Sequence, residues 1–551
     1  MNVFPRSVIP CLKMTAIPVY VMLFSLLAFL HRTTTFECPE DFPCDCLEEN
    51  GSSLQLQRRT RTQLNIIQCE GQFDLQLLNF SLFKSKIISR ITFFNTSIEY
   101  IDANTFQNLN VKEIVIKRNP LINISEYAFA PVRMSLEKLT LENVGLVFNA
   151  GVSMLFLKNF TNLRYLNLDR NGKFPLNFPG GLFRNLYLIS LEKLSLRKCG
   201  IALMSDVAFQ GLESLSELDI SINNMSIIPS AILSVQNLQT LKLSHNTKIY
   251  YIPDGAFHTL QNLKVLEISH TGINTMDYNA FKGLEESLEE LYLDNCDLPD
   301  GHFDALKRLQ KLRVLDISNN RITHIHNVSF EGFVNLENLD LSANPLLFLD
   351  TMFRGLERKL KVLSIKELGL TSLPLGTLNS LLVLEILDAS RNDFRQIYES
   401  FFSGIRAKTI FLKNMKIDQI SADAFEEVPH GIKLFLDGNS ISSISFLMDL
   451  PSCTFHTLSL EENPVSCDCD TLMIISTNRV ANMSGTCADG DFAGKMFGHL
   501  KGDPRVLEHC NFNKSDIYHY CLGSSGQSKR HTVNQLNFLV LLLFFSLYIN
   551  G

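Results

Sequence analysis

The sequence of 551 residues contains no tryptophan and no motif typical of a catalytic site. It has no H-E-x-x-H motif for zinc, no G-x-S-x-G motif for a serine nucleophile and no glycine-rich loop for phosphate. The 13 histidines are scattered, and residues 294–301 have the wrong spacing for a calcium-binding loop. We therefore expect no catalytic, cofactor or metal site, and no enzyme. A net charge of −7 also disfavours nucleic acid as a partner.

Neither end of the chain contains the run of about 20 apolar residues that a membrane-spanning helix requires. Residues 16–30 form a shorter apolar run behind Arg6 and Lys13, which is typical of a signal peptide. We expect residues 1–35 to be removed, with translation starting at Met1 or at Met14, and a signal anchor is the alternative. In either case the rest of the chain leaves the cytosol.

One nine-residue phrase recurs along the chain, with apolar residues at positions 1, 4 and 6 and usually asparagine at position 9. Residues 312–320 and 336–344 show it most clearly. The alternation predicts a short strand with positions 1, 4 and 6 facing inward and positions 2, 3, 5, 7 and 8 facing outward. One such strand cannot bury its apolar face alone, whereas stacked strands can. Position 9 falls at 16 places, 23 to 28 residues apart: 96, 119, 144, 171, 199, 223, 246, 271, 296, 320, 344, 368, 392, 415, 439 and 463.

The phrase resembles the consensus of leucine-rich repeat proteins. The resemblance implies an α/β repeat solenoid, a horseshoe whose concave face is a parallel β-sheet of about 16 repeats. Residues 85–463 would form the repeats.

Two side-chain types mark each repeat. Asparagine at position 9 can satisfy backbone groups that leave the ladder, since it both donates and accepts hydrogen bonds. Where Thr96, Cys199, Thr271 or Cys296 replaces it, one weaker donor remains, and Val144, Leu368 and Met415 offer none, so these turns should be softer. About ten residues later a phenylalanine recurs, which predicts a stacked spine under the convex side: Phe106, Phe129, Phe209, Phe257, Phe281, Phe330, Phe353, Phe402 and Phe425.

The cysteines cluster at both ends of the repeats, as in secreted proteins. Zinc is the alternative, although zinc sites rarely use C-x-C spacing. The two clusters resemble the N- and C-terminal cysteine caps of extracellular leucine-rich repeat proteins, here residues 36–84 and 464–521. The resemblance implies the bridges Cys38–Cys46, Cys44–Cys69, Cys467–Cys487 and Cys469–Cys510. Cys453 and Cys521 remain, and they pair with each other or one of them reaches another chain.

The C-terminal segment is typical of a glycosylphosphatidylinositol signal. Small residues at 523–526 lie in a linker, 522–535, and precede a removed apolar tail, 536–551, with Ser524 as the expected attachment residue. Nine N-x-S/T sequons predict a glycosylated surface protein: Asn50, Asn79, Asn95, Asn123, Asn159, Asn224, Asn327, Asn482 and Asn513. A glycan at Asn95 would cover the N-terminal end of the concave face.

The outward positions divide by charge. The first five repeats hold ten basic and five acidic residues there, whereas the next six hold nine acidic and three basic residues. This asymmetry predicts steering of a partner with the opposite polarity, and a merely solvated surface is the alternative. The binding residues we expect from it are basic Arg90, Lys117, Arg118 and Arg164 and acidic Glu289, Glu290, Asp316 and Asp340.

Outward aromatic residues predict contact sites, since exposed rings gain little unless a partner covers them. Phe411 and Phe435 share one position in adjacent repeats, and Tyr165 and Tyr292 lie farther along. Simple packing on the sheet is the alternative. The basic stretch at residues 58–61 (Arg58, Arg59, Arg61) could bind sulfated glycans, offer a cleavage site, or do neither.

With its expected lipid anchor, the chain resembles Nogo receptors and the arthropod adhesion proteins connectin and chaoptin. That resemblance implies recognition or adhesion at the cell surface through the concave face. The partner would be an extracellular protein, bound homophilically or heterophilically, with a transmembrane co-receptor for signalling. The alternatives are an innate immune pattern-recognition ectodomain and a non-catalytic binding subunit of a secreted complex.

The lipid anchor can be tested on cells that express the full chain. Phosphatidylinositol-specific phospholipase should release most of the surface protein into the medium, because it cleaves the only predicted attachment to the membrane. Retention on treated cells would contradict the anchor and favour a membrane helix.

Overall fold

A computed structural model describes residues 42–49, 64–71, 75, 78, 80–84, 86–103, 105–146, 154–172, 177–326, 329–348, 352–477 and 479–511. The signal peptide, the lipid-attachment signal with Ser524, the basic stretch at residues 58–61, Cys38 and Cys521 lie outside these residues. The chain divides into two compact units. Unit 1 comprises Met1–Asp340 with Arg354–Leu356, and unit 2 comprises Leu341–Phe353 with Glu357–Gly551.

Unit 1 is a ladder of short strands, one for each turn of the chain. Successive strands pair in parallel, except that the first two pair antiparallel. The strands are Asp45–Glu49, Leu64–Glu70, Ile87–Phe94, Asn110–Lys117, Lys138–Glu142, Tyr165–Asn167, Lys193–Ser195, Glu217–Asp219, Thr240–Lys242, Val265–Glu267, Glu290–Tyr292, Val314–Asp316 and Asn338–Asp340.

Unit 2 repeats the arrangement with parallel pairs throughout its described ladder. Its strands are Val362–Ser364, Ile386–Asp388, Thr409–Phe411, Ile432–Phe435, Phe455–Ser459 and Asn482–Ser484. The expected parallel β-solenoid of about 16 turns is confirmed. We call the surface formed by positions 2, 3, 5 and 7 of the nine-residue phrase in each repeat the ladder face.

The returning part of each turn uses very short elements. Two-residue strands pair in parallel: Tyr100–Ile101 with Asn123–Ile124, Asn177–Phe178 with Leu203–Met204, Tyr251–Ile252 with Thr275–Met276, and Gln396–Ile397 with Gln419–Ile420. The 3₁₀ helices are Phe80–Phe83, Ala130–Val132, Leu155–Leu157, Ser230–Ser234, Ala422–Phe425, Ser445–Met448 and Gly490–Phe492. Among the described residues, the α-helices between ladder strands are Phe303–Leu306, Leu375–Leu378 and Cys469–Ser476, and Phe497–Leu500 and Pro504–His509 follow the last strand.

The inward positions form the core, as the alternation predicts. Leu312, Leu315 and Ile317 are at most 1% exposed. Ser318, at position 7, is less open than expected, since it is only 8% exposed and its backbone amide donates to the Asp316 carboxylate at 3.0 Å. Ser318 was expected to face outward. The strand ends at Asp316, so its alternation no longer determines which way the small side chain faces.

The turn after each strand has a recurring backbone conformation that the apolar pattern does not reveal. Position 8 adopts a positive φ in turn after turn, for example 60° at His245, 51° at Asn319 and 58° at Arg391. Ile222, a β-branched residue, adopts 55°. Left-handed backbone is costly for such a residue, so the following asparagine must compensate for it.

Each buried asparagine at position 9 joins two turns. The Asn223 Oδ1 atom accepts from the amides of Cys199 and Ile201 at 3.0 and 3.1 Å, and its Nδ2 donates to the carbonyls of Leu196 and Ile220, each at 2.9 Å. The amide side chain therefore satisfies backbone groups of its own turn and of the preceding one.

The substitutes for asparagine behave as expected in part. The Cys199 Sγ donates to the carbonyl of Leu168 at 3.3 Å, so it keeps one weak donor. The side chain of Val144 has no donor, and here the Val144 backbone carbonyl accepts from the Leu121 amide at 2.9 Å instead. Whether these turns are softer stays a prediction.

The recurring phenylalanines are all buried. Neighbouring rings stack at centroid distances of 5.3 Å for Phe106 and Phe129 and 5.1 Å for Phe402 and Phe425. Phe303, which the sequence pattern missed, meets Phe330 edge-on at 5.5 Å. Ring pairs of this kind contribute about 0.5 to 1.5 kcal/mol beyond area burial.

Disulfides lie at both ends of the described ladder. They join Cys44 to Cys69, Cys467 to Cys487 and Cys469 to Cys510, the pairs that the family resemblance implies. Cys46 and Cys453 are also disulfide-bonded, and the partners expected for them lie outside the described residues. Near the C-terminal end, Asp468 caps the helix Cys469–Ser476 by accepting from the Thr471 amide at 2.8 Å.

The bridging role of asparagine predicts a large loss of stability on truncation. Asn223→Ala would leave two buried amides and two buried carbonyls without their partner, at about 1 to 3 kcal/mol for each group that cannot find another. We expect an overall loss of about 2 to 4 kcal/mol, measured by chemical denaturation of the full chain.

The matched control is Asn262→Ala, which removes one exposed bond to the Gln236 carbonyl. It should cost less than about 1 kcal/mol. Equal losses in the two variants would contradict the bridging role.

Candidate binding surface

The ladder face of unit 1 carries a staircase of ion pairs. A basic residue on one strand contacts an acidic residue at the same or a nearby position on the next strand, as Arg164 contacts Glu192 at 2.8 Å. Strands about 4.8 Å apart bring such side chains within reach. The pairs are Arg90–Glu113, Lys112–Glu137, Lys117–Glu142, Arg164–Glu192, Lys193–Glu217, Arg197–Asp219, Lys242–Glu267, Lys264–Glu289 and Arg313–Glu337.

These pairs change the meaning of the charge asymmetry. Arg90, Lys117 and Arg164, which were expected to attract a partner, each already contact a carboxylate of the following turn. The carboxylate of Glu289, also expected to bind a partner, is contacted in the same way by Lys264. The Arg118 guanidinium lies over the Phe94 ring, 5.2 Å from its centroid. The basic end of the ladder face is therefore less available to a ligand than its residue count suggests. Steering by charge stays a prediction.

The acidic middle of unit 1 centres on Tyr292 and Asp316. The Tyr292 hydroxyl donates to Glu290 at 2.9 Å, and Asp316 lies in register between Tyr292 and Asp340 on the adjacent strands. Burial, followed by the charges of Asp340 and Asp294, raises the pKa of Asp316 to about 8. Burial and the charge of Glu290 raise the pKa of Tyr292. The carboxyl of Asp316 therefore resists ionisation, and the middle is less negative than the sequence predicts.

Tyr165 lines a shallow cleft of about 170 Å³ on the ladder face. The Tyr165 hydroxyl accepts from Asn167 at 3.1 Å. Asp169 accepts from the hydroxyl of Ser195 at 2.6 Å and from the backbone amide of Arg197 at 2.9 Å. Burial raises the pKa values of Tyr165 and Asp169. The sequence singled out Tyr165 but gave no signal for the polar residues around it.

Unit 2 carries the aromatic pair that the repeat register predicts. The rings of Phe411 and Phe435 stack at a centroid distance of 4.6 Å with planes 18° apart, and both remain partly exposed. The Lys413 ammonium lies 5.5 and 5.1 Å from the two centroids and contacts Asp437 at 2.8 Å. Lys413 and Asp437 occupy position 7 and were missed, although the repeat register places them beside the rings. The two rings and the lysine form one cluster.

The predicted sequons that can be located are exposed. Asn123 lies on a returning strand, and Asn159 and Asn224 also lie off the ladder, whereas Asn95 follows strand Ile87–Phe94 and Asn482 begins the last described strand. The other predicted sequons lie outside the described residues: Asn50, Asn79, Asn327 and Asn513.

No metal site emerges within the described ranges. Cys469, His509 and Cys510 form the one His/Cys/Asp/Glu group close enough for a shared ion there. Cys469 and Cys510 are joined to each other, so neither offers a thiolate. In the same part of the chain, no helix is long and apolar enough to span a membrane.

Comparison with known families agrees with the repeated turns. The leucine rich repeat model matches residues 189–247, 236–298 and 286–346, and the BspA type leucine rich repeat region matches residues 65–171. Residues 65–171 and 189–346 are therefore leucine-rich repeats.

Similar proteins with such repeats include Podocan of Mus musculus, 27% identical over 59% of this chain and 52% of Podocan. The CD180 antigen of Mus musculus is 25% identical over 71% of this chain and 64% of that protein. Chaoptin of Drosophila melanogaster is 32% identical, over 30% of this chain and 14% of Chaoptin. The chain thus spans less than two thirds of the length of these relatives.

A solved structure, the crystal structure of a TLR13–ssRNA13 complex, matches with a TM-score of 0.54 and 21% identity. It covers 75% of this chain and 61% of the matched chain. At this identity the match shows a shared fold. Relatives of this kind are binding proteins and receptors, generally without enzymatic activity.

The raised pKa of Asp316 predicts a pH-dependent effect of substitution. The folded state holds the proton more tightly than the unfolded chain, so ionisation reduces wild-type stability as the pH rises from the ordinary value near 4 to about 8. Asp316→Asn removes this loss. We expect it to raise the melting temperature at pH 8 by about 1 °C for each kcal/mol gained, with little effect at pH 4.

Asp304→Asn is the control, because the Asp304 side chain is 65% exposed and lies off the ladder. It should show no comparable gain. A stability difference between wild type and Asp316→Asn that stays constant from pH 4 to pH 8 would overturn the interpretation.

Proposed function

We propose that this leucine-rich repeat protein is a cell-surface recognition or adhesion protein, held by a lipid anchor, that binds an extracellular protein through its ladder face. The observation that carries the proposal is the cluster of Phe411, Phe435 and Lys413. It places two stacked, partly exposed rings on a rigid strand pair beside a cation, and aromatic residues such as phenylalanine are enriched in protein interfaces.

The cluster is preorganised for contact. The two aromatic side chains sit in register on paired strands, so their stacking is set by the backbone before any partner arrives. The Lys413 ammonium is held by Asp437 and by the rings together. Little side-chain entropy is left to lose on binding, and this favours affinity for a given contact area.

The positions of the sequons support the same surface. Asn123, Asn159 and Asn224 would place glycans away from the ladder strands, whereas Asn95 would place one beside the strand Ile87–Phe94 of unit 1 and Asn482 would place one on the last described strand of unit 2. The ladder strands of unit 2 from Val362 to Ser459 contain no sequon. A protein partner can therefore approach the cluster without meeting a glycan attached to those strands.

The proposal is tested by the double variant Phe411→Ala/Phe435→Ala on cells that express the full chain. An extracellular interactome screen identifies the partner, and aggregation of otherwise non-adherent cells shows whether binding is homophilic. We expect the double variant to bind the partner at least about 10-fold more weakly, a loss of about 1.4 kcal/mol or more, since aromatic anchors carry much of an interface's energy.

Tyr398→Ala is the matched control, because Tyr398 is an aromatic residue of unit 2 that is 51% exposed and lies outside the ladder strands. It should bind like wild type, and all variants should reach the surface in equal amounts. Unchanged affinity of the double variant would remove the cluster as the binding site.

A further inference from the structure

The cleft around Tyr165 is built by three consecutive strands of unit 1. Tyr165, Lys193 and Glu217 lie in register across them, and so do Asn167, Ser195 and Asp219. Two rows of side chains thus border one depression on the ladder face. Its volume of about 170 Å³ is below the roughly 300 to 1,000 Å³ of sites for drug-sized ligands. The space suits a single small ring.

The polar side chains of the cleft hold one another in place. The Asn167 Nδ2 atom contacts both the Tyr165 hydroxyl and the Asp169 carboxylate at 3.1 Å. The Arg197 Nε atom donates to the Ser221 hydroxyl at 3.2 Å. A network of this kind is rigid before a ligand arrives, so a ligand that matches it loses little affinity to reorganisation.

Four of the five charged side chains that line the cleft form ion pairs, and the fifth, Asp169, accepts hydrogen bonds from the Ser195 hydroxyl and the Arg197 amide. Lys193 contacts Glu217, and Arg197 lies 3.5 Å from Asp219. An ionic ligand would have to separate at least one of these pairs, which lowers its net gain. A neutral ligand with several hydroxyls has no such cost, because a hydroxyl can donate to a carboxylate and accept from a cation while the pair stays intact.

We propose that this cleft binds a neutral pyranose, the terminal hexose of a glycan. A pyranose has one face of C–H groups, which the Tyr165 ring would cover, and a rim of hydroxyls, which Lys193, Arg197, Glu217 and Asp219 would bind. This site lies in unit 1 and is independent of the Phe411–Phe435 cluster in unit 2. A variant that abolishes binding at one of these two sites would leave binding at the other site testable.

The test measures binding of simple sugars to the purified full chain. Saturation-transfer NMR with the methyl glycosides of glucose, galactose and mannose should detect at least one of them with millimolar affinity. Tyr165→Ala should weaken that sugar at least about 10-fold, equivalent to 1.4 kcal/mol, while Tyr165→Phe, which keeps the ring, should stay within about 3-fold.

Three further variants guard against misfolding, against an ionic explanation and against an effect that is not specific to the cleft. Lys193→Met should weaken the sugar several-fold, and its side chain is 52% exposed, so the substitution leaves the core intact. Glu217→Gln keeps the shape and removes a charge, so a neutral sugar should change by less than about 3-fold and a charged ligand by more than about 10-fold. Tyr292→Ala, on the same face outside the cleft, should bind the sugar like wild type.

Several results would overturn the proposal. They are no saturation transfer from any of the three glycosides, equal losses in Tyr165→Ala and Tyr292→Ala, and binding of sulfated sugars alone. If a protein ligand binds more weakly to Glu217→Gln and no hexose displaces it, the cleft binds a charged side chain of that protein instead. Competition by the free glycoside and by a hexose-bearing glycoprotein would show whether the sugar is bound alone or on a carrier protein.

Discussion

The structure depends on satisfying the backbone where each strand ends. Position 8 turns into the left-handed region, and this breaks the ladder and leaves amides and carbonyls buried without strand partners. The asparagine at position 9 supplies both a donor and an acceptor at that point, and it does so for two turns at once. Where another residue replaces the asparagine, other groups serve: the Val144 carbonyl accepts from the Leu121 amide, and the Val144 amide donates to Asn171 of the next turn. Stacking and core burial require one of these solutions in each turn, because a buried turn with unsatisfied groups would cost several kcal/mol.

Much of the fold could be predicted because it is encoded by spacing alone. The inward positions, the phenylalanine spine and the contact of Phe411 with Phe435 follow from asking which residues share a position in successive turns. The cation beside those rings could have been found in the same way, since Lys413 sits two residues after Phe411 and so falls on the same face.

Other features could not be predicted by counting residue types. The charges of the ladder face are not independent of one another, since the long side chains of Arg90 and Lys264 reach carboxylates on the next strand. Burial of Asp316 comes from the side chains around it and not from its own type. The cleft at Tyr165 needs side-chain conformations as well as positions, and so no sequence pattern could indicate it.

The ion-pair staircase has one direction. On the ladder face of unit 1 the basic member comes from the earlier turn and the acidic member from the following one, as in Lys112–Glu137 and Arg313–Glu337. In these nine pairs the side chains give the stack a head and a tail, although its backbone turns are almost identical.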